Sequence, residues 1–147
     1  MQIEISDIGH IIQLSVAPVF LLTGVGTNLT VLTNRLGRIV DRSRILEDRL
    51  RMPEDPYRAE DQQELDTLYA RSHLINRAIT LATACALMVS LVIVALFVGD
   101  ALNIGLSKII ATFFVMAMIC LLASFIYLLR EILLATQTMR TVVRLSK

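Results

Sequence analysis

Residues Val16 to Arg38 read VAPVFLLTGVGTNLTVLTNRLGR, and the fold turns on how that stretch is interpreted. It is apolar enough to enter a bilayer, yet it carries four threonines, two asparagines and three glycines. A membrane helix of that composition needs a protected face, because a hydroxyl or amide turned toward lipid finds nothing to bond.

Outward from this stretch, the uncharged run extends from Ile11 to Asn34, and two more follow at Ala78 to Gly99 and Ile109 to Leu129. None contains Asp, Glu, Lys or Arg, and each reaches the roughly 20 residues needed to cross about 30 Å of hydrocarbon. A chain of 147 residues that is 55% hydrophobic therefore reads as one all-α membrane domain with three transmembrane helices. The competing reading, a buried soluble bundle, does not need runs this long. The N-terminal ten residues hold Glu4 and Asp7 but no basic residue, and the apolar run lacks a small-residue cleavage site, so a removed signal peptide is not expected.

The formal net charge is only +1, but its placement is informative. Nine Arg lie between Arg35 and Arg77, and Arg130, Arg140, Arg144 and Lys147 follow the third run, whereas the opposite side has only Lys108. By the positive-inside rule the N-terminus faces outward and the segments rich in Arg face the cytoplasm.

The helices are expected to outrun the bilayer. Leu22, Val25, Leu29, Leu32, Leu36 and Ile39 recur at steps of three and four, and Ser43, Leu46 and Leu50 continue the same seam. Met52 to Tyr57, with two prolines, breaks it. From Arg58 it resumes in Leu65, Leu68, Ser72, Ile75 and Ile79. Helix 1 is thus expected over about 7–51, capped by Ser6 or Asp7 and bent at Pro18. A turn over 52–57, helix 2 over 58–99 and an outer loop over 100–107 follow. Helix 3 is expected over 108–145, its amphipathic end lying along the stalk or the membrane surface. Helices 1 and 2 would extend as an antiparallel coiled hairpin projecting roughly 25 Å into the cytoplasm. Nine acids balance the nine Arg of this hairpin. That balance reads either as a solvated face of weak pairs or as contacts with another protein, since Arg is used throughout and Lys never.

The strongest candidate for function is a polar stripe on helix 1. Thr23, Thr27, Thr30, Asn34, Arg38 and Asp41 follow steps of four, three, four, four and three, opposite the Leu seam. In one reading the threonines bond their own helix, the glycines allow close packing and Asn34 joins helices. In the other, several copies arrange their stripes around a path lined by Thr23, Thr27, Thr30 and Asn34. Arg38 and Asp41 would then stand at the cytoplasmic mouth and Phe20 or Leu22 would form an apolar gate. Three spans enclose no channel alone, so a pore requires a homo-oligomer.

Other chemistry is thinly represented. His10 beside Gln13 reads as an interfacial anchor and His73 as a solvated residue. Cys85 and Cys120 lie in separate spans without ligand spacing, so no metal site or disulfide framework is expected. Gly24-Val25-Gly26 lacks the third glycine and the preceding strand of a dinucleotide site. No catalytic motif and no cofactor site is evident, so no enzyme is expected, and the balanced charge argues against nucleic acid.

Val16-Ala17-Pro18-Val19-Phe20-Leu21-Leu22-Thr23-Gly24 and Asn34-Arg35-Leu36-Gly37-Arg38-Ile39-Val40-Asp41-Arg42-Ser43-Arg44 resemble a family of small bacterial membrane proteins known as domain of unknown function 2721. The resemblance spans nearly the whole chain. It implies a bacterial membrane location and supplies no reaction, ligand or catalytic residue. The residues themselves favour a homo-oligomeric pore for ions or small solutes. The alternative is a membrane scaffold or signalling adaptor whose hairpin binds a cytoplasmic protein partner.

Overall fold

The computed structural model describes the backbone of residues 3–52, 57–102 and 105–145, and the side chains of 9, 10, 12–52, 57–99, 101, 102 and 105–136. The chain is all-α, with α1 at Ile3–Leu50, α2 at Arg58–Ala101 and α3 at Ser107–Leu145. At about 1.5 Å per residue these helices run roughly 60 to 70 Å, twice the thickness of a hydrocarbon core. All three are long and apolar enough to be candidate membrane spans, which suggests a multi-pass membrane protein.

The helix ends differ slightly from those expected. α1 starts at Ile3, one turn before the proposed Ser6 or Asp7 cap, because nothing in Ile3-Glu4-Ile5 stops a helix. It continues through Pro18, whose missing N–H removes one bond without ending so long a helix. α2 runs through Gly99, which is buried and helical, and its last turn closes with Leu102 N–H on the Val98 carbonyl at 3.0 Å. At the end of α1, Met52 N–H reaches back to the Arg49 carbonyl at 3.0 Å, a three-residue step that tightens the final turn. The rest of the expected turn, residues 53–56, and residues 103 and 104 of the expected outer loop lie outside the described residues.

The chain divides into two compact units. The first comprises Met1–Leu29 and Leu81–Ala123. Its core is made largely of small side chains: Ser15, Val25 and Asn28 from α1, Ala82, Cys85, Val89 and Val92 from α2, and Ala117 and Leu121 from α3. Small residues at three- and four-residue steps let helix backbones approach closely, which is how helices associate where lipid removes the hydrophobic drive. Leu87, Leu91, Val94 and Phe97 of α2 and Phe113, Val115, Ile119 and Leu122 of α3 are exposed. That outer surface suits a hydrocarbon solvent.

The second unit comprises Thr30–Thr80 and Ser124–Lys147. Leu32, Ile39 and Leu46 of α1 and Leu65, Leu68, Ile75 and Ala78 of α2 are buried in it, while Leu36, Leu50 and Ile79 are half-buried. Larger aliphatic side chains dominate here, each contributing about 1.5 to 3 kcal/mol when withdrawn from water. Ser43 is buried and Ser72 half-buried. Each hydroxyl donates to its own helix, to the Val40 carbonyl at 2.9 Å and the Tyr69 carbonyl at 2.8 Å. Ser124 of α3 is fully buried, and its hydroxyl donates to the Ala78 carbonyl of α2 at 2.9 Å.

Candidate functional site

The stripe residues Thr23, Thr27, Thr30, Asn34, Arg38 and Asp41 are all exposed, as are Gly24, Gly26 and Gly37 beside them. Thr23 donates to the Val19 carbonyl at 3.5 Å, Thr27 to the Thr23 carbonyl at 3.1 Å, and Thr33 to the Thr30 carbonyl at 3.1 Å. These hydroxyl protons bond back onto α1 while the hydroxyl oxygens keep their capacity to accept. A Cβ built on Gly24, Gly26 or Gly37 would meet nothing within 4 Å, so the glycines leave room on the surface and seat no neighbour within the chain. Of the two residues proposed as a gate, Phe20 is 74% exposed and Leu22 is half-buried.

The second unit gathers charge in a way the stripe alone does not reveal. Val31, Asn34, Arg35, Arg38, Ile39 and Arg42 project from one face of α1, and Glu64, Leu68 and Arg71 from one face of α2, to line a cleft of about 530 Å³. Val31, Arg35, Arg38 and Arg42 fall at steps of three and four with Asn34 and Ile39 beside them, and so do the α2 members, so helical periodicity brings them together. Of the predicted stripe, Asn34 and Arg38 belong to this cleft, and of the predicted seam, Ile39 and Leu68.

Ion pairs fix the walls. Arg42 grips Glu64 bidentately, Nε to Oε1 at 2.7 Å and an Nη to Oε2 at 2.9 Å, the fork geometry that suits Arg to carboxylates. The Arg42 guanidinium holds the Glu64 carboxyl below its ordinary value, against the opposing pull of partial burial. Both partners keep about two fifths of their side-chain surface in solvent, so the pair contributes no more than about 1 kcal/mol. Nearby, the Tyr69 hydroxyl of α2 donates to Glu47 of α1 at 2.6 Å.

The central contact comes from α3. Glu131 has no exposed surface and accepts from both other helices. Oε2 takes Arg35 of α1 at 2.9 Å, and Oε1 takes Nε and an Nη of Arg71 of α2 at 3.0 and 2.7 Å. One carboxylate thereby ties three helices together and orients two of the cleft's arginines. Sequence reasoning passes over Glu131, although a signal is there: it is the sole acid in α3 and lies two residues past the third uncharged run, after Arg130. An acid so placed needs a cation, and Arg35 and Arg71 lie near the corresponding ends of the other runs. Asn28 is a second residue of this kind, 93% withdrawn from the surface on the seam side of α1.

Among the described residues no group of His, Cys, Asp and Glu is arranged to hold a metal ion. The cysteines are free, Cys85 buried and Cys120 half-buried. The family described as Protein of unknown function (DUF2721) matches residues 15–141. No curated protein and no solved structure matches the chain.

Proposed function

We propose that this chain, which belongs to the DUF2721 family, is the subunit of a homo-oligomeric membrane protein in which the polar face of α1 lines a path for ions or small solutes. One observation carries the reading: within a candidate span, Thr23, Thr27, Thr30 and Asn34 are exposed on a single chain. In hydrocarbon an uncovered Asn amide costs several kcal/mol, so the face calls for other copies or water. Copies arranged around these faces supply both. In this orientation the N-terminus is outside, the hairpin of α1 and α2 and the C-terminus are cytoplasmic, and Arg38 and Asp41 stand at the inner mouth.

A second reading is favoured by the threonine hydroxyls. Because Thr23 and Thr27 already donate to their own helix, the same face can pack dry. The protein would then be a scaffold or adaptor whose hairpin holds a cytoplasmic partner. Reconstituted vesicles separate the two. Thr27→Leu and Thr30→Leu change ion or solute flux if the face lines a path. Flux indistinguishable from protein-free vesicles for the native chain contradicts the pore and leaves the adaptor.

A further inference from the structure

We propose that the arginine cleft of the second unit binds a phosphate-bearing anion. Its four guanidinium groups, Arg35, Arg38, Arg42 and Arg71, meet three carboxylates, Glu64 within the cleft, Glu131 on Arg35 and Arg71 and Asp61 acting on Arg42, which leaves positive charge in excess by one. The arginines are not equally engaged. Arg42 and Arg71 each spend two donors on a carboxylate and Arg35 spends one, of the five that a guanidinium carries. Arg38 and the Asn34 amide have no partner among the described residues and open into the same cleft.

This arrangement is more than a solvated charge run. Glu64 and Glu131 hold three guanidinium groups in fixed orientations, so an incoming anion meets donors that have already lost their rotamer freedom. The planar fork of Arg matches phosphate oxygens. Phosphate also offers enough acceptors to engage Arg38, Asn34 and the unused donors of Arg35 together. About 530 Å³ lies within the range of small-molecule sites and admits a phosphorylated headgroup or a small phosphorylated solute. Asn34 closes the first uncharged run and Arg38 stands one turn beyond it, the depth at which an anionic lipid presents its phosphate. The inference concerns one chain and does not rest on assembly into a pore.

The test uses the full-length chain in mild detergent with two probes. Phosphatidic acid, against phosphatidylcholine as control, is followed by native mass spectrometry, and inorganic pyrophosphate is followed by calorimetry. Arg38→Ala is expected to weaken binding at least tenfold, with Arg38→Lys recovering part of it, while Arg130→Ala, an exposed cation outside the cleft, leaves binding unchanged. Because Arg38 has no partner to lose among the described residues, the helical content of Arg38→Ala should match that of the native chain, and Asn34→Ala provides a second weakening variant. Phosphatidic acid binding without pyrophosphate binding assigns the site to a lipid headgroup, and binding of both assigns it to phosphate groups from either source. Equal binding by the native chain and Arg38→Ala overturns the proposal, as does equal weakening by Arg38→Ala and Arg130→Ala.

Discussion

Arg71 and Glu131, sixty residues apart in the chain, meet through two hydrogen bonds on a single carboxylate oxygen, which leaves the other oxygen for Arg35. A fully buried carboxylate that serves two guanidinium groups is a structural commitment: without its partners it would be an uncompensated charge.

The consequence is testable by removing the acid. Glu131→Ala strands Arg35 and Arg71 and opens a void between three helices. Loss of a buried partner costs about 3 to 5 kcal/mol, and the lower end applies because Arg35 and Arg71 remain 39% and 24% exposed. Glu131→Gln keeps the shape and should lose less. Thermal unfolding in detergent reads both, and an unchanged midpoint for Glu131→Ala would contradict the clasp.

The Arg42–Glu64 pair sets a pH dependence. The carboxyl of Glu64 lies below its ordinary 4.5 in the folded chain. Its stabilising contribution is therefore complete above that ordinary value and is lost as pH falls through the lower, folded value. Glu64→Gln should cost no more than about 1 kcal/mol at neutral pH, and the difference from the native chain should shrink to nothing on acidification. A difference that persists in acid would show that Glu64 acts by packing.

Ser124 and Ala78 mark a close approach of α3 to α2, with a 2.9 Å bond and no exposed surface at either residue. Ser124→Ala removes the hydrogen bond to the Ala78 carbonyl, a loss of about 0.5 to 1 kcal/mol. Ser124→Leu must force the backbones apart and should cost about 1 to 3 kcal/mol. Equal midpoints for the two variants would mean the contact is loose.

Cys85 has no exposed surface, whereas Cys120 is half-buried. A membrane-permeant maleimide should label Cys120 at least tenfold faster than Cys85 in the native protein, and the two at similar rates after denaturation. Mass spectrometry of the labelled chain distinguishes the two sites.

Much of the helical architecture can be read from the chain. Three uncharged runs imply three long apolar helices, and the steps of three and four from Leu32 through Ile39 to Leu46 mark residues that are buried. Harder to read are contacts between residues far apart in sequence. Arg42 and Glu64 look like two members of a balanced charge run until the two helix faces are set side by side. Glu131 sits beside Arg130 in a stretch that periodicity describes only as an amphipathic tail. At Gly99 α2 continues two residues further, to Ala101, because glycine ends a helix when the chain turns left-handed there, and here it stays helical.

The most direct measurement is single-particle imaging of the protein in lipid nanodiscs, asking what faces Thr23, Thr27, Thr30 and Asn34. A symmetric ring of chains with these residues turned to a hydrated axial path is the predicted result. A single chain with the stripe turned to lipid, or a dry interface in which no path exists, would contradict it.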